Sequence, residues 1–226
     1  MPTLVITGAN RGIGLALTKR YLEAGWTVHA TARDPNKAEA LKALEGVTLH
    51  QLDVTSQSSI DAFAAGLKGV AVDTLINNAG GMGPRNPTFG KSQLADWAEV
   101  LTINTASPWL ITERLAPNLE AGEGKRVAII SSQLGSLKNA SAGWPPIYAT
   151  SKAGVNMVMR QLALVLVEKG ITTFTLHPGW VRTDMGGPEA DISPEESAAA
   201  IFKLTNGASR DMNGRFFNYD GTPMPW

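Results

Sequence analysis

A tyrosine and a lysine four residues apart are the side chains of this sequence best suited to acid–base chemistry. Tyr148 and Lys152 lie in the segment YATSK, and residues four apart on a helix project from the same face. A free phenol has a pKa near 10, about three units above neutrality, which corresponds to roughly 4 kcal/mol. One unit charge about 4 Å away contributes a similar amount, roughly 4 kcal/mol, at the effective dielectric of a protein surface. We therefore expect the lysine to lower the pKa of the tyrosine enough for proton exchange.

Two serines before this pair offer a hydroxyl for a substrate oxygen. Ser131 closes the strand-like run KRVAIIS, residues 125–131, and Ser132 follows it directly. Either hydroxyl could hold a carbonyl oxygen against the phenol. A helical tyrosine with a lysine beside it is, by itself, more often a surface arrangement. The catalytic interpretation therefore depends on what else lies in the same crevice.

A glycine-rich segment, TGANRGIG at residues 7–14, follows the first strand-like run and opens the first amphipathic stretch. Gly8 allows a tight turn, Gly12 lets the backbone approach a pyrophosphate, and Gly14 lets a helix pack closely on the strand. The N-terminus of that helix would offer free N–H groups to an anion. The spacing is G-x-x-x-G-x-G and not the usual G-x-G-x-x-G, but its place between strand and helix predicts a dinucleotide site.

The end of the second strand indicates which dinucleotide binds. TARD, residues 31–34, lies where a residue would contact the 2′ position of the ribose. Arg33, together with Arg11 in the glycine loop, would bind a 2′-phosphate, which favours NADP(H). Asp34 keeps NAD(H) as an alternative, because a carboxylate there would bind the 2′-hydroxyl. Asp53, in LDVT, could accept a hydrogen bond from the adenine amino group or could cap a helix.

The composition argues against several classes of function. The 226 residues carry 20 basic and 20 acidic side chains, so a nucleic-acid or anionic-membrane partner is not expected. Cysteine is absent and the three histidines are scattered, so no disulfide or metal site is predicted. The longest apolar run, LALVLV at residues 162–167, is too short to span a bilayer. Strand-like sequence begins at Thr3, leaving no room for a signal peptide, and we expect a cytoplasmic protein.

Short β-branched runs alternate with amphipathic stretches along the whole chain. Strand and helix in regular turn predict right-handed crossovers and a parallel sheet covered on both faces. We therefore expect one α/β domain, residues 1–226, with a doubly wound Rossmann-type sheet of about seven strands. The predicted strands are 3–7, 27–31, 47–51, 72–77, 125–131, 171–176 and 214–219. The predicted helices are 12–24, 35–44, 57–68, 92–117, 147–169 and 194–205.

Two predicted helices begin with capping signals. Asp34 precedes Pro35, and Ser193 forms a capping box with Glu196. Three long stretches without periodicity each follow a strand, and ligands of such sheets bind beyond the carboxyl ends of the strands. These stretches are 77–91, 132–147 and 177–193.

Several motifs together resemble the short-chain dehydrogenases/reductases, and the resemblance runs from Thr3 to the C-terminus. The motifs are TGANRGIG, NNAG at 77–80, ISS with YATSK, and PGWVRT at 178–183. The resemblance implies that Tyr148 donates a proton, that Lys152 lowers its pKa and binds the nicotinamide ribose, and that Ser132 orients a carbonyl group. It also implies that Asn104, in LTINTAS, holds a water of the proton relay.

The same resemblance implies a set of coenzyme-binding residues, among which Thr183 contacts the nicotinamide carboxamide. The implied set is Gly8, Asn10, Arg11, Gly12, Ile13, Gly14, Arg33, Asp53, Val54, Asn78, Ala79, Gly80, Tyr148, Lys152, Pro178, Gly179, Val181 and Thr183.

Within the family, SPEESA and the ending GRFFNYDGTPMPW are most similar to the carbonyl reductases that include the C-factor and sniffer-type proteins. This likeness implies reversible, NADPH-dependent reduction of aldehydes or ketones. A signalling or regulatory protein that binds a dinucleotide without turnover, and an NAD-dependent alcohol dehydrogenase, are the alternatives. The segment NASAGWPP, residues 139–146, is inserted between Ser132 and Tyr148, so the geometry of Ser132 is left open.

Loop and helix composition suggests the substrate and the assembly. Trp144, Trp180, Met82 and Met185 lie in loops around the expected crevice and favour a small or medium apolar carbonyl compound, although ordinary loop packing explains them equally well. The predicted helices 92–117 and 147–169 are apolar on nearly all sides. One sheet face cannot cover so much apolar surface, so we expect a homodimer or homotetramer.

Overall fold

The computed structural model describes residues 1–84, 89–141 and 145–226. Its strands are β1 (Thr3–Ile6), β2 (Thr27–Ala32), β3 (Val47–Gln51), β4 (Thr74–Asn77), β5 (Arg126–Ile130), β6 (Thr172–His177) and β7 (Phe216–Asn218). They form one parallel sheet in the order β3-β2-β1-β4-β5-β6-β7. The order reverses between β1 and β4, so the predicted doubly wound sheet is confirmed.

Helices cover both faces of this sheet. They are α1 (Gly12–Glu23), α2 (Glu39–Lys42), α3 (Gln57–Gly66), α4 (Leu94–Leu101), α5 (Ser107–Ala121), α6 (Pro146–Leu166) and α7 (Pro194–Asn206). Tyr21 of α1 and Ile201 of α7 belong to the apolar layer on one face. Phe63 of α3, Ile111 of α5 and Met159 of α6 belong to the layer on the other. The two layers hold the sheet rigid, so its loops start from fixed positions.

Both predicted capping arrangements are confirmed. The Asp34 carboxylate accepts a hydrogen bond from the Asn36 N–H at 3.0 Å. The Ser193 hydroxyl accepts one from the Glu196 N–H at 3.1 Å, and the Glu196 carboxylate accepts one from the Ser193 N–H at 2.7 Å. These bonds satisfy N–H groups that the first turn of a helix leaves without a partner.

The predicted helix 35–44 is wrong in its extent. A single 3₁₀ turn, Pro35–Lys37, is followed by the four-residue helix α2. Ala38 separates them with φ −100° and ψ 48°, and its side chain is buried in the apolar layer beside α1. Packing of this side chain has a greater effect than helix propensity here, which is a weak preference.

The predicted helix 92–117 is interrupted. Between α4 and α5 lies a π-helical segment, Thr102–Ala106. Hydroxyl groups bond back to the preceding turn around it, from Thr102 to the Ala98 carbonyl oxygen at 2.7 Å and from Ser107 to that of Ile103 at 2.7 Å. Such bonds bend helices, and π segments recur at functional sites.

Among the described residues, no helix is long and apolar enough to cross a membrane. The same residues contain no group of three or more histidine, cysteine and acidic side chains placed to hold a metal ion. The cytoplasmic location stays a prediction.

Candidate active site

The glycine loop is locked against the end of β4, where the strand order reverses. A Cβ on Gly8, whose φ is +63°, would lie 2.8 Å from the Cα of Ala79. A Cβ on Gly14 would lie 2.5 Å from the Gly8 oxygen. The Asn78 side-chain amide donates to the Thr7 and Gly8 carbonyl oxygens, both at 2.9 Å. Only glycine fits these two positions, and NNAG fixes the shape of the loop.

The glycine loop leaves an open cradle at the start of α1. No side chain caps this helix, so its first N–H groups have no side-chain partner. Gly12 has φ +55°, and a Cβ there would meet the Thr183 methyl group at 3.2 Å. Asn10 is exposed and Ile13 is half-buried at the same edge. Free N–H groups and missing side chains are what a pyrophosphate needs, so the residues present fit a dinucleotide.

The turn PGWVRT lies over this loop and is itself held firmly. The Ser197 hydroxyl on α7 donates to the Pro178 oxygen at 2.7 Å. Val181 pairs with Ile192 in a short β-bridge, and a Cβ on Gly179, with φ +87°, would lie 2.6 Å from the Ile192 side chain. Thr183 accepts a hydrogen bond from the Gly186 N–H at 3.2 Å. The predicted coenzyme residues of this turn therefore lie beside those of the glycine loop.

At the end of β2, the two candidates for contact with the 2′ position of the ribose, Arg33 and Asp34, have different surroundings. Arg33 is exposed, whereas the Asp34 carboxylate caps the next turn and forms an ion pair with Lys37 at 3.5 Å. Arg11 lies 2.6 Å from Asp184 in an exposed ion pair, so it is directed towards the PGWVRT turn. Of the two arginines, Arg33 has the exposed position expected at the strand end.

The end of β3 places Asp53 and Val54 at the same edge of the sheet. The Asp53 carboxylate accepts hydrogen bonds from the Thr55 N–H at 2.9 Å and the Thr55 hydroxyl at 2.7 Å. These bonds hold the pKa of the carboxyl below its usual value. Val54 is half-buried against the apolar layer beside α3. One oxygen of Asp53 thus stabilises the turn that precedes α3. The cap of that helix is Ser56, so the capping alternative for Asp53 is wrong.

Serine, tyrosine and lysine come together at the end of β5. Tyr148, in the first turn of α6, is 8% exposed, and its hydroxyl is hydrogen-bonded to the Ser132 side chain. Lys152 is 4% exposed; its Nζ donates to the Ile130 oxygen at 2.8 Å and lies 5.5 Å from the centre of the Tyr148 ring. The insertion at 139–146 therefore does not displace Ser132 from Tyr148. Of that insertion, residues 142–144 lie outside the described part of the chain.

The two serines have different surroundings. The Ser131 hydroxyl donates to the side-chain oxygen of Asn156 on α6 at 2.7 Å. Successive strand residues point to opposite faces, so Ser132 is directed away from that bond. Of the two serines, Ser132 is therefore the one beside the Tyr148 hydroxyl. Asn156 is a partner that sequence reasoning did not single out.

Burial has opposite effects on the pKa values of the two ionisable groups. Desolvation raises the pKa of Tyr148 to about 12, and the hydrogen bond to Ser132 offsets only part of this. Desolvation lowers the pKa of Lys152 to about 8. The expected lowering of the tyrosine pKa is therefore wrong for the chain without coenzyme, because both groups are removed from water and each favours its neutral form.

Asn104 uses its whole side chain to join the loop after β4 to α6. Its amide donates to the Gly81 oxygen at 2.7 Å and to the Ser151 hydroxyl at 2.8 Å, and its oxygen accepts from the Gly81 N–H at 2.9 Å. A Cβ on the neighbouring Gly80 would lie 3.4 Å from the Asn104 oxygen and 3.7 Å from the Lys152 Nζ. Sequence reasoning missed Gly81 and Ser151, because neither residue type signals this contact.

A family model described as short chain dehydrogenase matches residues 2–192. The chain belongs to the short-chain dehydrogenase family. The C-signal protein of Myxococcus xanthus is 40% identical over 165 residues, which cover 73% of this chain and 99% of that protein. A carbonyl reductase from chicken fatty liver, solved with bound NADPH, superposes with a TM-score of 0.93 at 34% identity, covering 100% of this chain and 99% of that one.

The carbonyl reductase Sniffer of D. melanogaster superposes with a TM-score of 0.92 at 30% identity, with both chains fully covered at 100%. The expected likeness to the C-factor and sniffer-type branch is therefore confirmed. In this short-chain dehydrogenase, the predicted crevice residue Met82 lies after β4, and Trp180 and Met185 lie after β6. Trp180 is 47% exposed with its indole N–H on the Gly186 oxygen at 2.9 Å, and Met82 and Met185 are half-buried. Trp144 lies outside the described residues.

Proposed function

We propose that this short-chain dehydrogenase is an NADPH-dependent reductase of aldehydes and ketones that also runs in reverse as an alcohol dehydrogenase. The observation that carries the proposal is the group of Ser132, Tyr148 and Lys152, buried together on the sheet edge that bears the glycine loop. The NADPH bound to the chicken carbonyl reductase supports the choice of coenzyme. In this proposal residues 1–226 work as one coenzyme-binding and catalytic domain.

The coenzyme, when bound, supplies the hydride. The open N-terminus of α1 would hold its pyrophosphate, and Arg33 would bind a 2′-phosphate. Asp34 is the weaker candidate for a ribose hydroxyl, because one of its carboxylate oxygens already accepts the Asn36 N–H and the other forms an ion pair with Lys37. Further contacts would come from Asn10, Arg11, Ile13, Asp53, Val54, Asn78, Ala79, Gly80, Pro178, Gly179, Val181 and Thr183.

Each reacting side chain has a separate role in this proposal. The Ser132 hydroxyl donates a hydrogen bond to the carbonyl oxygen, and Tyr148 then gives its proton to that oxygen as the alcohol forms. Burial, which raises the tyrosine pKa to about 12, keeps the phenol protonated and ready to donate. An alkoxide is a far stronger base than a phenolate, so the transfer remains favourable. The Lys152 ammonium group then stabilises the phenolate.

Turnover of a panel of aldehydes and ketones by the protein with NADPH tests this proposal. Tyr148→Phe keeps the ring and removes the proton donor, so we expect kcat to fall by about a hundredfold or more while NADPH still binds. Tyr21→Phe is the matched control: it removes another buried hydroxyl, bonded to Thr205 at 2.6 Å in the core beneath α1 and α7. The control should lose stability by about 1 kcal/mol and keep kcat. Equal turnover by wild type and Tyr148→Phe would refute the role of the tyrosine.

A second function has one observation in its favour, the 40% identity to the C-signal protein. In this alternative the chain binds the coenzyme as a signalling or regulatory protein and has no physiological turnover. Tight NADPH binding without oxidation by any carbonyl compound of the panel would favour it over the reductase. The buried Ser132–Tyr148–Lys152 group argues against it, because binding alone does not need a proton donor.

We further propose that the protein associates with copies of itself through the outer face of α6. Met157, Leu164 and Val165 on this helix are more than half exposed, at 60%, 63% and 56%. Trp109 and Leu110 of α5, by contrast, already pack against the core. We expect a dimer or tetramer by size exclusion with light scattering, and a smaller species for Leu164→Lys. A monomeric wild type at micromolar concentration would contradict this proposal.

A further inference from the structure

A cavity of about 310 Å³ lies at the carboxyl ends of β5, β6 and β7. Its size is at the lower end of the range for small-molecule sites. The residues around it combine polar side chains with aromatic and thioether surface. They include Gln133, His177, Asp191, Tyr219 and Met224.

His177 is the unusual member of this lining. It is the last residue of β6 and is only 9% exposed, and neither nitrogen of its ring has a hydrogen-bond partner among the described residues. Nδ1 is fully buried, so Nε2 is the nitrogen that a group in the cavity can reach. Polar groups that are largely removed from water are almost always paired, so a ligand is the partner to look for at Nε2. Burial lowers the pKa of His177 to about 4, so the ring is neutral and can form a hydrogen bond without bringing a charge.

The cavity begins close to Ser132. The Ser131 N–H donates to the Leu176 oxygen at 2.7 Å, so the backbone at the end of β5 lies directly beside His177. Gln133, which follows Ser132 in the chain, forms part of the cavity wall. Neighbouring strands are about 5 Å apart. A substrate with its carbonyl group on Ser132 and Tyr148 would therefore reach the cavity with a chain of a few atoms.

We propose that this cavity binds the far end of the carbonyl substrate, and that His177 forms a hydrogen bond there with a neutral polar group such as a primary amide, hydroxyl or ester. This inference rests on the proposed reductase function. Tyr219 and Met224 would line the carbon chain, and the exposed side chain of Gln133 offers a second amide. The exposed carboxylate of Asp191 at the rim disfavours an anionic end group. His177 is thus a specificity-determining residue.

Two methyl ketones of equal chain length, one ending in an alkyl group and the other in a primary amide, provide the test. We expect wild type to have the higher kcat/KM for the amide. His177→Leu should reduce the ratio of the two kcat/KM values about tenfold, mainly through KM, because one hydrogen bond to the substrate is lost. His177→Gln, which keeps a hydrogen-bonding group, should retain most of the ratio. His50→Leu is the control, since His50 is bonded to His29 at 2.9 Å near the opposite edge of the sheet.

Melting temperature and NADPH affinity, measured for each variant, separate binding from folding. If wild type reduces both ketones, and the ratio of the two kcat/KM values is the same in wild type, His177→Leu and His177→Gln, then His177 does not bind the far end of the substrate. The reductase proposal still stands in that case. If both His177 variants lose activity equally with the two ketones and have lower melting temperatures, the residue is structural. The proposed binding of the far end of the substrate by His177 is then also refuted. If wild type reduces neither ketone nor any other carbonyl compound, the reductase proposal fails and this inference fails with it.

Discussion

Replacing the buried lysine of the site should make the protein more stable. Lys152 is 4% exposed, and burial lowers its pKa from 10.5 to about 8. The coenzyme-free protein must nevertheless hold the lysine charged near neutral pH. Lys152→Met keeps the length of the side chain and removes this charge, so we expect a variant without reductase activity and with a larger free energy of unfolding.

The structure sets the size of the effect. The pKa of Lys152 is lower by about 2.5 in the folded state, and each pKa unit corresponds to about 1.4 kcal/mol, so the charge costs about 3 kcal/mol at pH 7. Loss of the hydrogen bond to the Ile130 oxygen, 2.8 Å long, offsets about 1 kcal/mol. We therefore expect Lys152→Met to be more stable by about 2 kcal/mol at pH 7.

The difference should depend on pH in a definite direction. Lys152 is a base with a lowered folded-state pKa, so between about pH 8 and 10.5 the unfolded chain binds more protons than the folded one. The stability of wild type should then rise with pH over this window. The advantage of the variant should shrink by about 2 kcal/mol between pH 7 and 9.5. Tyr21 and Tyr148, with pKa values raised to about 12, oppose the trend above about pH 10, so the series should stop at 9.5.

Urea denaturation of the coenzyme-free protein, followed by tryptophan fluorescence at constant ionic strength, measures both quantities. Lys203→Met removes an exposed lysine from α7 and controls for the change in net charge. Its stability difference from wild type should stay small at every pH. A Lys152→Met variant that is less stable than wild type, or a stability difference that does not change with pH, would refute the argument that the buried ammonium charge of Lys152 lowers the free energy of unfolding.

Two further variants test the proposed contact of Arg33 with the coenzyme and the role of Asn104 in the π-helical segment between α4 and α5. Arg33→Ala should weaken NADPH binding at least about tenfold and leave NADH binding nearly unchanged, because only the first has a 2′-phosphate; fluorescence titration measures both dissociation constants, and an equal loss for both would contradict the role of Arg33. Asn104→Ala removes the three bonds to Gly81 and Ser151 and should lower the free energy of unfolding by about 2–4 kcal/mol; a change below about 0.5 kcal/mol in urea denaturation would show that Gly81 finds other partners.

The sheet could be predicted from the sequence because its strands are local signals. Each is a short β-branched run, and the alternation with helices leaves little freedom in topology. The break in the predicted helix 92–117 could not be predicted in the same way. Asn104 bonds to Gly81, 23 positions earlier in the chain, and no local pattern reports that contact.

The site was predictable in its residue types and only partly in its energetics. Spacing placed Tyr148 and Lys152 on one helical face, and Ser132 reached them despite the insertion. The direction of the tyrosine pKa was wrong because a charge-pair argument omits desolvation, and burial is a property of the packed chain. His177 was noted only as a residue without metal-ligand spacing, since the sequence does not show that its Nδ1 lacks a partner.

The strand order distributes the proposed tasks along one line. Arg33 follows β2, the proton donor faces the end of β5, and His177 ends β6. β2 and β5 are three strand intervals apart, about 14 Å at a spacing of about 4.8 Å. Substitutions at that separation generally combine without interference. Substitutions that change the coenzyme preference and substitutions that change the substrate range could therefore be selected separately and then combined, with little further optimisation.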